Sequence, residues 1–252
     1  QKRKFEFYKD KFKKEAEFLK KYNNFNVSKI FNMNNTVYYV MDYIDGTNLL
    51  NYAKKNGCND KLSLVKTLEL LQPVKQVLSR LHSDNYLHRD IDPKNIVVEE
   101  DGTTHLLDFG SVGKVGDLSH SWKPGYAAIE QYGTDDENKY KKFGNEGVET
   151  DIYQLAATIY TIITGKKPPG AKKRVKEDNL IKPSSLCTDI PQEADKVLLK
   201  ALSLNVKNRY HSLDEFFNVL NSLSYDSLKD SHDPNLAEEK KKDIYDEDDC
   251  DE

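Results

Sequence analysis

The chain has 252 residues, 37% hydrophobic and 32% charged, which is enough for one large domain or two small lobes and too apolar for disorder throughout. Its net charge of −4 gives no bulk attraction to nucleic acid, and the charge is uneven, with 12 acidic and 4 basic residues packed into 225–252. No apolar run approaches the roughly 18 residues a membrane span needs; the best, 155–164, carries three threonines. Cys58, Cys187 and Cys250 lie too far apart for a zinc site or a disulfide framework, which favours the cytoplasm. The first residue is Gln1 rather than Met, so residues upstream are expected.

Residues 2–22 have the mixed charge and apolar points (Phe5, Tyr8, Phe12, Phe18, Leu19) of an amphipathic helix. Residues 27–31 and 36–41 are rich in strand formers, with turn-forming Asn32, Asn34 and Asn35 around the gap. Asp45-Gly46 predicts a turn and 49–55 a short helix. Residues 62–83 give the clearest helical period, through Leu64, Leu68, Leu71, Val74, Leu78 and Leu81, with a kink expected at Pro73. Short strands are expected at 96–98 and 104–107 around the turn Asp101-Gly102. Residues 108–148 hold seven of the twelve glycines and no sustained period, the mark of a functional loop. Helices return at 150–164, 191–203 and 212–222, and beyond about 225 the acidic composition predicts a solvated tail.

The chemistry concentrates in the middle. His88-Arg89-Asp90-Ile91-Asp92-Pro93-Lys94-Asn95 runs into the first of the short strands, and Asp108-Phe109-Gly110 follows the second. Phosphoryl transfer needs a carboxylate to orient the attacking hydroxyl and accept its proton, and hard oxygen ligands for Mg²⁺. Asp90 suits the first role; Asn95 and Asp108, brought together by the strand pair, suit the second. Either tripeptide alone is weak. Both in this order, with an asparagine five residues after Asp90, form a specific signal, although Asp and Asn also favour turns.

On these residues the chain resembles a protein kinase, from about Phe5 to Leu223, and its wording is most similar to bacterial Ser/Thr kinases of eukaryotic type. The resemblance implies an α+β fold with a truncated small β lobe (1–42), a mainly helical large lobe (43–224) and the acidic tail (225–252). It implies ATP and Mg²⁺ as cofactors, protein substrates, no nucleic acid and no membrane contact within this chain. YYVMDYIDG at 38–46 resembles the hinge, with Met41 as gatekeeper and the backbone of Asp42 and Ile44 bonding adenine; Val97 would line the same nucleotide site. Glu15 resembles the glutamate that pairs the ATP-anchoring lysine. GYAAIEQY at 125–132 resembles the end of the activation segment, with Glu130 paired to Arg209, and Asp151 would receive bonds from the catalytic-loop backbone. His88 is expected to pack on Phe109.

The departures are equally specific. No glycine-rich loop precedes the hinge, and no strand lysine precedes Glu15, since the early lysines share its helix. A piece of a longer chain is the favoured explanation, and residues 1–252 alone are expected to lack transfer activity. Asp92 stands where Ser/Thr kinases usually have the lysine that meets the γ-phosphate: either Asp92 turns away or Lys94 substitutes. Lys123 stands where a threonine is common. The run Gly110, Gly113, Gly116 is rejected as a phosphate loop because it follows Asp108-Phe109-Gly110 rather than preceding a helix, and Gly113-Lys114 is followed by Val115, not Ser or Thr. Kinases with an arginine at the place of Arg89 commonly use it to grip an activation-segment phosphate, which points to Ser119 or Ser121 as modified residues. The reading is therefore a Ser/Thr protein kinase, catalysing through Asp90, Lys94, Asn95 and Asp108; the alternative is an inactive kinase-like binding module.

Overall fold

A stretch without glycine or proline forms the first helix, α1 (Lys2–Tyr22), in the computed structural model, which describes residues 2–22, 29–33, 36–117, 123–134 and 140–230. The face that α1 buries is Ala16, Leu19 and Tyr22, spaced by three, whereas Phe5 is exposed. Phe18 packs edge-on against Tyr86, with ring centroids 5.1 Å apart. The end of α1 is pinned to the large lobe. The Tyr22 hydroxyl and the Lys21 ammonium both donate to Asp84 Oδ2, at 2.6 and 2.7 Å, and the Arg80 guanidinium donates to the Tyr22 carbonyl.

Strands β1 (Lys29–Met33) and β2 (Thr36–Val40) form an antiparallel hairpin in which Lys29 faces Val40 and Met33 faces Thr36. β2 alternates: Tyr39 is half-buried, with its ring 4.8 Å from that of Phe12, and Tyr38 and Val40 are exposed. Val40 is 50% exposed, while Met41 and Val97 are half-buried.

β3 (Gly46–Asn48) occupies a segment expected to turn. It pairs antiparallel with β5 (Ile96–Glu99), which in turn pairs with β6 (Thr104–Leu106). Gly46 is required there because a Cβ would lie 2.7 Å from the Val98 carbonyl oxygen. β4 (Tyr86–Leu87) pairs with β7 (Gly113–Lys114), tying the loop after β6 back to the segment after α3.

Helix α2 (Leu49–Asn56) is N-capped by Asn48, and α3 (Leu64–Ser83) by Ser63, whose hydroxyl accepts from the Lys66 N–H; Pro73 lies within α3. α4 (Val148–Thr164) is the centre of the large lobe, buried at every position from 150 to 164. Two of its threonines tolerate this because the Thr161 and Thr164 hydroxyls donate to the carbonyls of Ala157 and Tyr160, at 2.7 and 2.6 Å. Short α5 (Ala171–Arg174) and α6 (Pro183–Leu186) precede α7 (Gln192–Ala201) and α8 (Leu213–Asp230). α8 continues past 222 and into the segment expected to be tail; 231–252 lie outside the described residues. Among the described residues no helix is long and apolar enough to cross a membrane.

Candidate functional site

The loop 88–95 is shaped by bonds from α4. Arg89 has φ 68°, a left-handed conformation that an arginine adopts only when its surroundings hold it. The His88 and Arg89 N–H groups each donate to the Asp151 carboxylate at 2.8 Å, and His82 Nε2 lies 2.8 Å from the same group. Burial pushes the Asp151 carboxyl up, but the His82 contact and the backbone bonds outweigh it and hold the group below the usual range. The Arg89 carbonyl accepts from both Gln131 and Gln154, at 3.0 and 2.8 Å, and Gln154 also accepts from the Ile91 N–H at 3.0 Å. Asp151 was expected in this role. The two glutamines were not, although each sits beside an expected motif residue, Glu130 or Asp151.

Asp90 and Asn95 meet directly. Asn95 Nδ2 donates to the Asp90 carbonyl at 2.8 Å and to its carboxylate at 3.2 Å, which commits the amide nitrogen and leaves Oδ1 as the ligating atom. The Leu107 N–H donates to the Asn95 carbonyl at 2.7 Å, so the β5–β6 ladder brings Asp108 to the same end as Asn95. Asp108 itself has φ 61°, and its carboxylate accepts weakly from the Gly110 N–H at 3.3 Å. Burial pushes the Asp90 carboxyl above its ordinary value against the pull of Lys123. His88 is fully buried, its ring 5.1 Å from that of Phe109 in an edge-on contact, and burial lowers its pKa.

The Asp92 carboxylate is buried. One carboxylate oxygen accepts from the Lys94 N–H at 2.7 Å and the other from the Lys123 ammonium at 2.7 Å. Lys123 Nζ also lies 3.0 Å from Asp90 Oδ2. Among the described residues, the ammonium bonded to Asp90 thus belongs to Lys123; the Lys94 side chain is exposed and the loop uses its backbone. Burial works against the Lys123 charge, but the bonds to Asp92 and Asp90 outweigh it and raise its pKa.

Glu15 enters from α1. A Cβ on Gly110 would lie 3.2 Å from Asp108 Oδ1 and 3.5 Å from Glu15 Oε2, so the two carboxylates flank that glycine. Burial and the Asp108 charge raise the Glu15 pKa, while Lys11 and a bond with Tyr39 lower it. Burial and the same two carboxylates push the Tyr39 phenol up to about 12. This concentration of negative charge suits a divalent cation. Among the described residues no cluster of three or more His, Cys, Asp or Glu could hold a metal. Two oxygen ligands, Asn95 and Asp108, fit an ion that is otherwise held by phosphates and water, as Mg²⁺ commonly is. In the segment expected to be the hinge, Met41 and Ile44 are half-buried and Asp42 is exposed, and the Ile44 carbonyl accepts from the Gly46 N–H at 3.0 Å. Val97 sits on β5, opposite Asn48 on one side and His105 on the other.

Glu130 and Arg209 form a buried two-toothed ion pair, at 2.6 and 2.9 Å, with the Thr150 hydroxyl donating to the same carboxylate at 2.8 Å. Arg89 is also occupied. Its Nε donates to Glu146 at 2.7 Å, and its Nη2 to the carbonyls of Lys114 and Asp117 at 3.0 and 2.6 Å. This guanidinium is bonded to a carboxylate of the chain itself; Ser119 and Ser121 lie outside the described residues. Gly113 makes room for it, since a Cβ there would lie 2.2 Å from Arg89 Nη1. That is a physical reason for one glycine of the rejected phosphate loop.

Comparisons with known proteins point to one family. A family model described as protein kinase domain matches residues 1–220. A probable serine/threonine-protein kinase of Clostridium acetobutylicum is 27% identical over 244 residues, covering 87% of this chain and 34% of its own. Serine/threonine-protein kinase PknB of Mycolicibacterium smegmatis is 30% identical over 187 residues, covering 71% of this chain and 29% of its own. The chain therefore spans about a third of the length of these relatives. The crystal structure of the Mycobacterium tuberculosis PknI kinase domain superposes with a TM-score of 0.62 at 22% identity, covering 84% of this chain and 78% of that one, a likeness of fold.

Proposed function

The chain belongs to the protein kinase family, and from that premise we propose that the protein it comes from transfers the γ-phosphoryl group of ATP to Ser or Thr hydroxyls of protein substrates. The observation that supports this most is the direct bonding of Asn95 to Asp90, together with the ladder bond that brings Asp108 to the same end. Asp90 orients the attacking hydroxyl and accepts its proton. Asn95 Oδ1 and the Asp108 carboxylate would hold Mg²⁺, which when bound neutralises charge on the phosphates. The N–H of Ile44 and the backbone of Asp42 would bond adenine, between Met41 and Val97. Glu15 would orient the ammonium that anchors the ATP phosphates, and since every lysine before it in residues 1–252 lies on its own helix, these residues alone are expected to bind nucleotide weakly.

A second reading, an inactive kinase-like binding module, is favoured by one observation: Glu15 faces Asp108 and Tyr39. Incubating the full-length protein with Mg²⁺, γ-labelled ATP and mixed acceptor proteins, followed by phosphoamino-acid analysis, separates the two. Phosphoserine and phosphothreonine are expected. Phosphotyrosine as the main product overturns the hydroxyl class, and nucleotide binding without any transfer supports the inactive module.

A further inference from the structure

Lys123 has the unusual position of an ammonium held between two carboxylates of the loop 88–95. It comes from the segment after residue 122, far along the chain, and bonds Asp90 at 3.0 Å and Asp92 at 2.7 Å. Asp92 is 2% exposed, and its other oxygen is fixed by the Lys94 N–H. The Lys123 side chain remains 41% exposed, so a ligand above Asp90 can reach it. A carboxylate this buried needs a compensating charge, and Lys123 supplies it. A lysine that served only as a clamp would need Asp92 alone, and here it also reaches Asp90.

We propose that Lys123 is a catalytic residue whose ammonium, tethered by Asp92, stabilises the phosphoryl group as it passes to the hydroxyl that Asp90 orients. The proposal rests on the protein-kinase reading of the site. In the step, the hydroxyl oxygen forms a bond to the γ-phosphorus, the bond from that phosphorus to the β,γ-bridging oxygen breaks, and its electron pair leaves with ADP. The hydroxyl proton goes to Asp90. A hydroxyl within hydrogen-bond reach of Asp90 places the attacked phosphorus about 3–3.5 Å further on. An ammonium already 3.0 Å from that carboxylate is therefore within a short rotation of the phosphoryl oxygens. A fixed cation there acts where transition-state charge is spread. Asp92 and Lys123 together then form an exchanged pair: the acid stands at the loop position where the resemblance expects a lysine, and the lysine stands at the position where it expects a threonine.

The test uses the full-length protein, steady-state kinetics, and calorimetry with MgATP and MgADP. Lys123→Met is expected to lower kcat by about 10²–10³-fold with a much smaller change in KM for the acceptor. It should also erase a preference for MgATP over MgADP in calorimetry, because only ATP carries the group that Lys123 meets. Lys123→Arg should retain a substantial part of kcat, and the double exchange Asp92→Lys with Lys123→Thr should exceed Lys123→Met by about tenfold or more. Each variant is checked by thermal melting. Transfer by Lys123→Met within threefold of wild type overturns the proposal. So does a folded double exchange no better than Lys123→Met, which shows a clamp only. Should the exchange fail to fold, the Arg variant and the ATP-to-ADP preference decide. If the wild type itself transfers nothing, the kinase reading fails, and an ATP-to-ADP preference unchanged in Lys123→Met overturns this proposal separately.

Discussion

Replacing Arg209 by methionine removes a guanidinium whose side chain is fully buried against Glu130. It leaves that carboxylate with the Thr150 hydroxyl alone, and it strips donors from the carbonyls of Ser203, Leu204 and Glu149. Removing one partner of a buried pair costs about 3–5 kcal/mol, because the other charge stays in a low dielectric without compensation. For a domain of this size that corresponds to a fall in Tm of roughly 6–20 °C. Glu130→Gln should cost a similar amount by stranding the guanidinium. The double variant leaves no buried charge, so its loss should fall short of the summed single losses by about 1–3 kcal/mol. Urea unfolding followed by circular dichroism, with all four proteins, measures the cycle. A single-variant loss below about 1 kcal/mol, or strict additivity, refutes the argument that this pair pins the segment around 130 to α4.

Asp108→Ala should abolish Mg²⁺-dependent nucleotide binding by the full-length protein while leaving its melting temperature within a few degrees, as calorimetry and melting would show; retained Mg²⁺ dependence contradicts the ligand assignment. Among the described residues the buried Thr158 hydroxyl has no hydrogen-bond partner, so Thr158→Val should be neutral or stabilising by up to about 1 kcal/mol in the same urea assay, and a clear loss would show that the hydroxyl is satisfied. The lowered pKa of Asp151 makes a signed prediction. Its contribution is fully present above the unfolded carboxylate value of about 3.9 and is lost as pH falls through the folded value. The stability gap between wild type and Asp151→Asn should therefore narrow as pH drops below about 4, and a constant gap would count against it.

Much of this arrangement was legible in the sequence because it is local or strongly periodic. The spacing from Asp90 to Asn95 sets up a bond within one loop, and α3 announces itself by its apolar period. The Glu130–Arg209 pair was legible only through resemblance. What was hidden depends on contacts across the chain. β4 and β7 have two residues each, too few to carry an alternation, and exist because the loop after β6 folds back. The glutamines at 131 and 154 look like ordinary polar residues until the Arg89 carbonyl is found between them. Lys123 gives no local sign that it lies beside Asp90, since 108–148 has no period. Glu146, which bonds Arg89, lies in that same stretch and gives no local sign either.

The central claim is that Asp90 acts on the hydroxyl and not on the nucleotide. Its most direct test is γ-phosphoryl transfer by the full-length protein carrying Asp90→Asn, measured beside MgATP affinity in one preparation. The account predicts a fall in transfer by a factor on the order of 10² or more with affinity unchanged within about threefold. Transfer near the wild-type rate would contradict it.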